Sequence, residues 1–131
     1  MLTFFVATIA LAQSTPKSLA VETWDFGQAG GKTVSSKLGQ PSIEFFVDEK
    51  KVAGTGGVNR FSGPAVFNGR KIKIGPLVST KMAGSRDAME QEDRVLKAVQ
   101  SADRWRFSKG RLELLAGKLK VASLFRHRVK K

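Results

Sequence analysis

The residues of this 131-residue chain that could do chemistry fall into a few groups, and each meets a competing structural account. The single histidine, His127, lies in the run Arg126-His127-Arg128, where neighbouring cations oppose a further positive charge. A general base needs a pocket and an orienting partner, so a solvent-exposed tail residue is the expectation. Acids are densest at Asp87, Glu90, Glu92 and Asp93. Paired carboxylates can share acid–base work, yet Glu90 with Arg94 and Asp93 with Lys97 stand at i,i+4, the spacing of ion pairs on a solvated helix face. Gly54, Gly56 and Gly57 could offer bare N–H groups to an anion. Neither nucleotide-loop spacing is present, and the flanks read strand to strand without a helix N-terminus, so a tight bend or bulge at a barrel edge is expected. With no Cys and one His, thiolate nucleophiles, disulfides and Cys-based or two-His metal sites are excluded. The chain reads as a non-enzyme with no catalytic, cofactor or metal site.

Asn59-Arg60-Phe61-Ser62-Gly63 is the most function-like run. Asn59 can hold a turn by bonding its own backbone, and Phe61 can fill a core. Arg60 is open to two roles. Its guanidinium can pair with Glu90 or Glu92 and tie loop to helix, which is the favoured account, or meet an anionic ligand. Ser79 and Thr80 either satisfy backbone groups where a strand leaves its sheet or line a cleft between sheet and helix.

Charge is unevenly spread. The whole chain carries +12, and beyond residue 103 ten basic residues face one acid. Arg104, Arg106, Arg111, Lys118 and Lys120 alternate with Trp105, Phe107, Leu112, Leu119 and Val121, so a row of cations can cover the outer face of adjacent strands with the aromatics inside. A single-strand nucleic-acid binder would expose stacking aromatics, which makes specific nucleic-acid recognition a poor fit. What remains is salt-sensitive phosphate attraction or weak association with an anionic membrane surface, aided by Arg126, Arg128, Lys130 and Lys131. A merely solubilising face is the competing account.

The elements that must position these residues follow from pattern. Residues 1–12 are uncharged, almost wholly apolar and end in Ala10-Leu11-Ala12, so a signal peptide and export to periplasm, envelope or medium are expected, although no Lys or Arg precedes the run. It is too short for a spanning helix, which needs about 20 apolar residues. No Cys follows that could carry a lipid anchor. An extended segment over 13–22, one domain over 23–126 and a basic tail over 127–131 complete the plan. Strands are expected at Thr23 to Phe26 and Ser42 to Val47, with an irregular stretch between Gly27 and Gly39. Asn68-Gly69 and Lys109-Gly110 mark two hairpins, and Leu119, Val121 and Phe125 should share the inner face of the last strand. One segment has helical period, about 86–101, capped by Ser85, with Met89, Leu96 and Val99 on its apolar side.

Two stretches go beyond pattern: GTGGVNRFSG at Gly54 to Gly63, and GPLVSTKMAG followed by MEQE between Gly75 and Glu92. Together they resemble the META domain family, which includes the heat-shock protein HslJ. That family shows a GCNRFSG-like loop, a hairpin, an LASTRMAC-like strand and loop, a helix opening on a MEQE-like run, then a hairpin and a final strand; the order matches from about Trp24 to Phe125. The resemblance implies an α+β fold, a strongly curved antiparallel sheet or open barrel of about seven or eight strands with one packed helix. It makes Asn59, Arg60, Phe61, Ser62, Gly63, Ser79, Thr80 and Met82 candidate binding residues. It implies an exported or envelope-associated, stress-related protein of a family without established enzymatic activity; with the apparent signal and the lack of catalytic groups, a non-enzymatic monomer that binds a partner protein or hydrophobic ligand is expected. A basic module for nucleic acid or anionic lipid is the alternative. Likeness to secretion pilotins is one of architecture alone. Val58 and Gly84 stand where many members carry Cys. Joint replacement is what a lost disulfide would leave, and Val58 should then be a core contact.

Overall fold

Most strands of this chain alternate an apolar with a polar side chain, and the sheet curls until the apolar set faces inward. A computed structural model describes residues 16–127, so the expected signal over 1–12 and the tail beyond His127 lie outside the described residues. Ten strands run in order: β1 (Trp24–Ala29), β2 (Lys32–Thr33), β3 (Ser42–Phe46), β4 (Lys51–Thr55), β5 (Arg60–Asn68), β6 (Lys71–Ile74), β7 (Val78–Ser79), β8 (Arg104–Ser108), β9 (Arg111–Ala116) and β10 (Leu119–Arg126). The helix α1 (Arg86–Ser101) lies between β7 and β8. All pairings are antiparallel, in the order β10-β9-β8-β6-β5-β4-β3-β1, and β1 also pairs with β10, so eight strands close a ring. The two-residue strands β2 and β7 add to β1 and β5. This is the expected curved sheet with one helix, closed further than an open barrel. Two seams are thin: β6 meets β8 at the single pair Lys71 and Arg104, and β1 meets β3 at two pairs.

The interior is filled by Trp24, Phe26, Ile43, Phe45, Val52, Phe61, Trp105, Leu112, Leu114 and Leu124, each at most 3% exposed, with Val95, Ala98 and Val99 contributed by α1. In a chain without Cys this burial, at about 25 cal/mol per Å² of apolar surface, is the main cohesive force. The segment expected to be extended instead forms a 3₁₀ turn at Pro16–Leu19, because Leu19 is drawn fully into the core and its carbonyl accepts the Trp24 indole N–H at 3.1 Å.

Several local expectations shift. β1 runs three residues beyond Phe26, and the stretch expected to be irregular holds β2 and a 3₁₀ turn at Ser36–Leu38. In the first hairpin Asn68 pairs with Lys71, so the turn is Gly69-Arg70, one residue later than expected, with Gly69 at φ 59°. At Lys109 and Gly110 both residues take positive φ, 52° and 77°, as a tight hairpin requires. In β10 the pairing with β9 slips between Lys120 and Ala122. Such a bulge reverses the parity of every later side chain. Val121 packs against the core as expected, but beyond the bulge Ala122 and Leu124 point inward and Phe125 is 40% exposed, while Leu119, ahead of the bulge and next to the turn, is 68% exposed, both against expectation. Phe107, expected inside, is 41% exposed and lies against Trp24 and Trp105, with ring centroids 5.8 and 5.3 Å away.

The helix has the expected bounds, and Ser85 Oγ accepts the Ala88 N–H at 3.2 Å. Its buried face is Ala88, Gln91, Glu92, Val95, Ala98 and Val99, rotated so that Met89 and Leu96 are only half-buried. The expected pairs of Glu90 with Arg94 and Asp93 with Lys97 do not form; Glu90 meets Arg86 at 3.3 Å. Replacing Ser85→Ala removes the cap, and a loss of about 1 kcal/mol is expected in urea unfolding, with the native circular dichroism spectrum unchanged.

Candidate functional site

Glu92 is 3% exposed, on the inner face of α1. A carboxylate there needs donors, and the loop between β4 and β5 supplies them. Glu92 Oε2 accepts the backbone N–H of Val58 at 2.8 Å and of Asn59 at 2.6 Å, and Oε1 accepts Asn59 Nδ2 at 2.8 Å. Gly56 makes room: a Cβ on it would fall 2.6 Å from Glu92 Cγ. The anion that this loop cradles is the chain's own Glu92, and the donors are Val58 and Asn59 rather than the glycines: the N–H of Gly56 donates to Asn59 O and that of Gly57 to Thr55 Oγ1. A structural role for the glycines holds, for a reason the sequence reading missed.

Asn59 is equally buried, and every polar atom of its side chain is engaged. Its Nδ2 also donates to Met82 O at 3.0 Å, while Oδ1 accepts Thr80 Oγ1 at 2.8 Å and the Met82 N–H at 2.7 Å. Thr80 Oγ1 in turn accepts the Arg60 N–H at 3.1 Å. Of the candidate residues, Asn59, Thr80 and the Met82 backbone are therefore brought together, and Phe61 is in the core. Gly63 sits where β5 exchanges β7 for β6, with space for no Cβ beside Leu77 and the Pro76 carbonyl. The Met82 side chain is 60% exposed. Arg60 pairs with neither Glu90 nor Glu92; it points to solvent, because Glu92 is already saturated by the adjacent residues.

Two other helix residues act in the same way. Gln91 exchanges two hydrogen bonds with the Ser35 backbone, and Gln100 Nε2 donates to the carbonyls of Ile74 and Gly75 while its Oε1 accepts the Leu77 N–H. Gln91 and Glu92 were missed as buried groups. The signal was available, since Glu92 stands three and seven residues before Val95 and Val99 on one helical stripe.

Val58 and Gly84 are in direct contact: a Cβ on Gly84 would lie 2.8 Å from Val58 Cγ2. The two positions for which the resemblance suggested a lost Cys pair therefore face each other. Val58 is half-buried and covers Gly84, which is less than a full core contact.

The expected cleft divides into two depressions. Arg60, Ser62, Ser79 and Thr80 line a groove of about 630 Å³ with Ser42, Glu44 and Thr55, on the solvent face of β3, β4, β5 and β7 and away from the helix. Between residues 79–83 and α1 lies a smaller one of about 330 Å³, whose Asn59 and Glu92 are already bonded to each other. Among the basic candidates, Arg104, Arg106 and Lys118 share a groove of about 440 Å³ with Arg70. Arg106 Nε lies 2.6 Å and Lys120 Nζ 3.7 Å from Glu113, while Arg111 lies in a separate depression beside Asp25 and Phe125. His127, expected free in the tail, caps the end of β10: its Nδ1 is 2.8 Å from the buried Asp25 Oδ2, and its N–H donates to Thr23 O.

The sequence profile of the META domain matches residues 17–128. The chain belongs to the META domain family. Three solved structures are similar to it. An NMR structure has a TM-score of 0.65 at 21% identity, covering 86% of this chain and 94% of the other. A second NMR structure, of a protein from Burkholderia xenovorans, also has 0.65, at 18% identity and 86% of both chains. A crystal structure of a DUF4847 family protein from Bacteroides vulgatus has 0.57 at 18% identity, covering 88% of this chain and 98% of the other. At these identities the likeness is one of fold. No curated protein matches the chain.

In this META domain the family-like motifs meet at Asn59, Thr80, Met82 and Glu92, so the cluster can fasten loop, strand and helix together. With Glu92→Gln, an amide N–H₂ must face the donors of either the backbone or Asn59. Unfolding free energy should fall by about 2 kcal/mol in denaturant titration; an unchanged midpoint would remove Glu92 from this role. Gly84→Ala should cost about 1 to 3 kcal/mol by pressing on Val58. The cost should largely vanish in a Val58→Ala background, and additive losses would show that the two side chains do not meet.

Proposed function

We propose that this META domain is a non-catalytic, exported, envelope-associated protein that works as a monomer by adhering to an anionic membrane surface, in a stress-related role that the family resemblance suggests. The observation that carries the reading is the solvent face of β6, β8, β9 and β10. Arg70, Lys71, Lys73, Arg104, Arg106, Lys118 and Lys120 are exposed on these strands and their turns. The four strands contain one acid, Glu113. Lys71 stands opposite Arg104, Arg104 opposite Leu115, and Leu115 opposite Lys120, so the cations span the sheet in one row. Like charges set side by side cost stability in the free protein, and an anionic surface offsets that cost.

Leu119 adds an apolar element. It is 68% exposed between Lys118 and Lys120, the arrangement by which a peripheral protein places one side chain among headgroups while its cations meet lipid phosphates. The tightly filled ring favours a surface partner over a hydrophobic ligand held inside it, and no described helix is long and apolar enough to cross a membrane.

Cosedimentation with vesicles tests the proposal. Binding to vesicles containing phosphatidylglycerol is expected, with none to pure phosphatidylcholine, and a steep fall as salt rises. Lys73→Gln and Lys120→Gln should each weaken binding about fivefold. Equal binding to neutral vesicles would refute the reading. Tighter binding to single-stranded RNA than to anionic vesicles at equal salt would transfer the face to nucleic acid.

A further inference from the structure

Within this face, we infer that the groove lined by Arg70, Arg104, Arg106 and Lys118 is a discrete site for a terminal phosphate group, as inorganic phosphate or a phosphate monoester. The inference builds on the cationic face described above but does not require that the face touch a membrane. The four cations come from three places: the turn between β5 and β6, strand β8, and the turn between β9 and β10. They converge on about 440 Å³ of space bordered by Trp105 and Leu115, which are 1% and 6% exposed.

What distinguishes this groove from a scatter of surface lysines is that its backbone is fastened in advance. Trp105 donates its backbone N–H to Arg70 O at 3.0 Å and its indole N–H to Gly69 O at 3.1 Å, so the first turn is pinned to β8 by a buried side chain. Gly117 N–H donates to both carboxylate oxygens of Asp103, at 3.0 and 3.2 Å, which fastens the second turn just ahead of β8. Asp103 is itself held between sheet neighbours, its N–H donating to Leu115 O and its carbonyl accepting the Ile72 N–H. Gly117 lines the groove, so this one carboxylate lies beside it with its charge spent on the turn N–H, and Asp103 itself is not among the lining residues. A ligand therefore orders side chains only, and pre-organised backbone lowers the cost of binding.

The cations are also largely unspent. Arg106 shares Glu113 with Lys120, whereas Arg70, Arg104 and Lys118 have no ion-pair partner among the described residues. Guanidinium forks present paired N–H donors that fit two oxygens of a tetrahedral anion, and a Lys ammonium adds a point charge. A terminal phosphate offers three such oxygens and close to two negative charges, while a phosphodiester offers two oxygens and one charge. Trp105 and Leu115 beside the groove limit solvent screening there.

The test titrates the folded chain with inorganic phosphate, against chloride at equal ionic strength, and follows backbone amide resonances. Saturable shifts confined to Gly69, Arg70, Gly117, Lys118 and their neighbours are expected. The pair Arg70→Gln with Arg104→Gln should weaken phosphate binding at least about tenfold. The pair Lys73→Gln with Arg111→Gln removes the same charge outside the groove and should change it by less than about threefold. Both pairs retain the native circular dichroism spectrum if they fold. Arg70→Lys with Arg104→Lys keeps charge without the fork and should recover only part of the affinity. Vesicles of phosphatidic acid and phosphatidylglycerol, matched in charge, separate the sources. A preference for the monoester lipid that disappears only in the groove pair identifies a headgroup, and saturable phosphate binding without that preference identifies a soluble phosphate. Equal losses in both Gln pairs, or no saturable shift, would overturn the site. Vesicle binding at equal strength in all variants, or its complete absence, would bear on the adhesion proposal alone.

Discussion

The carboxylate of Glu92 is the constraint on which the rest of this domain hangs. A loop of the sequence Gly56-Gly57-Val58-Asn59 must cross from β4 to β5 beneath the helix, and its N–H groups have no strand to pair with at Val58 and Asn59. Left buried without acceptors, such groups cost about 1 to 3 kcal/mol each. Glu92 answers them both with a single oxygen and uses the other for Asn59 Nδ2. Asn59 then passes the constraint on, since its Oδ1 fixes Thr80 and Met82. Three separate stretches of chain are thereby set relative to one another by two side chains 33 residues apart. Gly56 is small because Glu92 stands over it, and Gly84 is small because Val58 does.

That dependence explains how legible the sequence was. Features governed by neighbours along the chain could be read directly: the alternation of Ile43 and Phe45 with polar residues, the helix opening after Ser85, and the turn at Lys109-Gly110. Features governed by distant partners could not. The β10 bulge is a mismatch between two strands, and nothing within Leu119 to Phe125 announces that Ala122 and Leu124, rather than Phe125, will follow Val121 inward. Phe107 alternates correctly with Trp105, yet β6 pairs with β8 only at Arg104, and 41% of the Phe107 surface is left in water. Arg60 was expected on the helix carboxylates because it is the cation of its motif. Asn59 takes that place because a buried carboxylate is satisfied more cheaply by donors already fixed in the loop than by a long side chain that would lose both hydration and rotamer freedom. Of the candidate residues Asn59, Thr80 and the Met82 backbone are gathered for a structural purpose that their types alone did not disclose, while Arg60, Ser62 and Ser79 face a solvent groove.

The thinnest seam of the ring lies between β6 and β8, where one residue pair replaces a ladder. The two backbone bonds that flank this pair hold it, Ile72 N–H to Asp103 O and Trp105 N–H to Arg70 O, and the indole of Trp105 adds a side-chain bond to Gly69 O. These are the bonds that set Arg70 beside Arg104. A full ladder would bury this junction in regular pairing and spread its side chains evenly along two strands. The short seam instead gathers two turns and the start of β8 at one point, and every one of them brings a cation. Closing the ring and concentrating charge are consequences of the same geometry.

Motif and charge therefore occupy different parts of the domain. The Asn59 and Glu92 cluster lies under the helix, with its polar atoms spent on one another, and any ligand entering there would have to displace bonds that hold the loop. The cationic seam lies on the solvent face, where side chains can change partners without loosening the core, because Trp105 and Asp103 fix only the backbone that carries them. The first kind of arrangement holds loop, strand and helix of this chain together. The second can change its side chains at little cost in stability, and a surface with that freedom is where this domain's binding is to be sought.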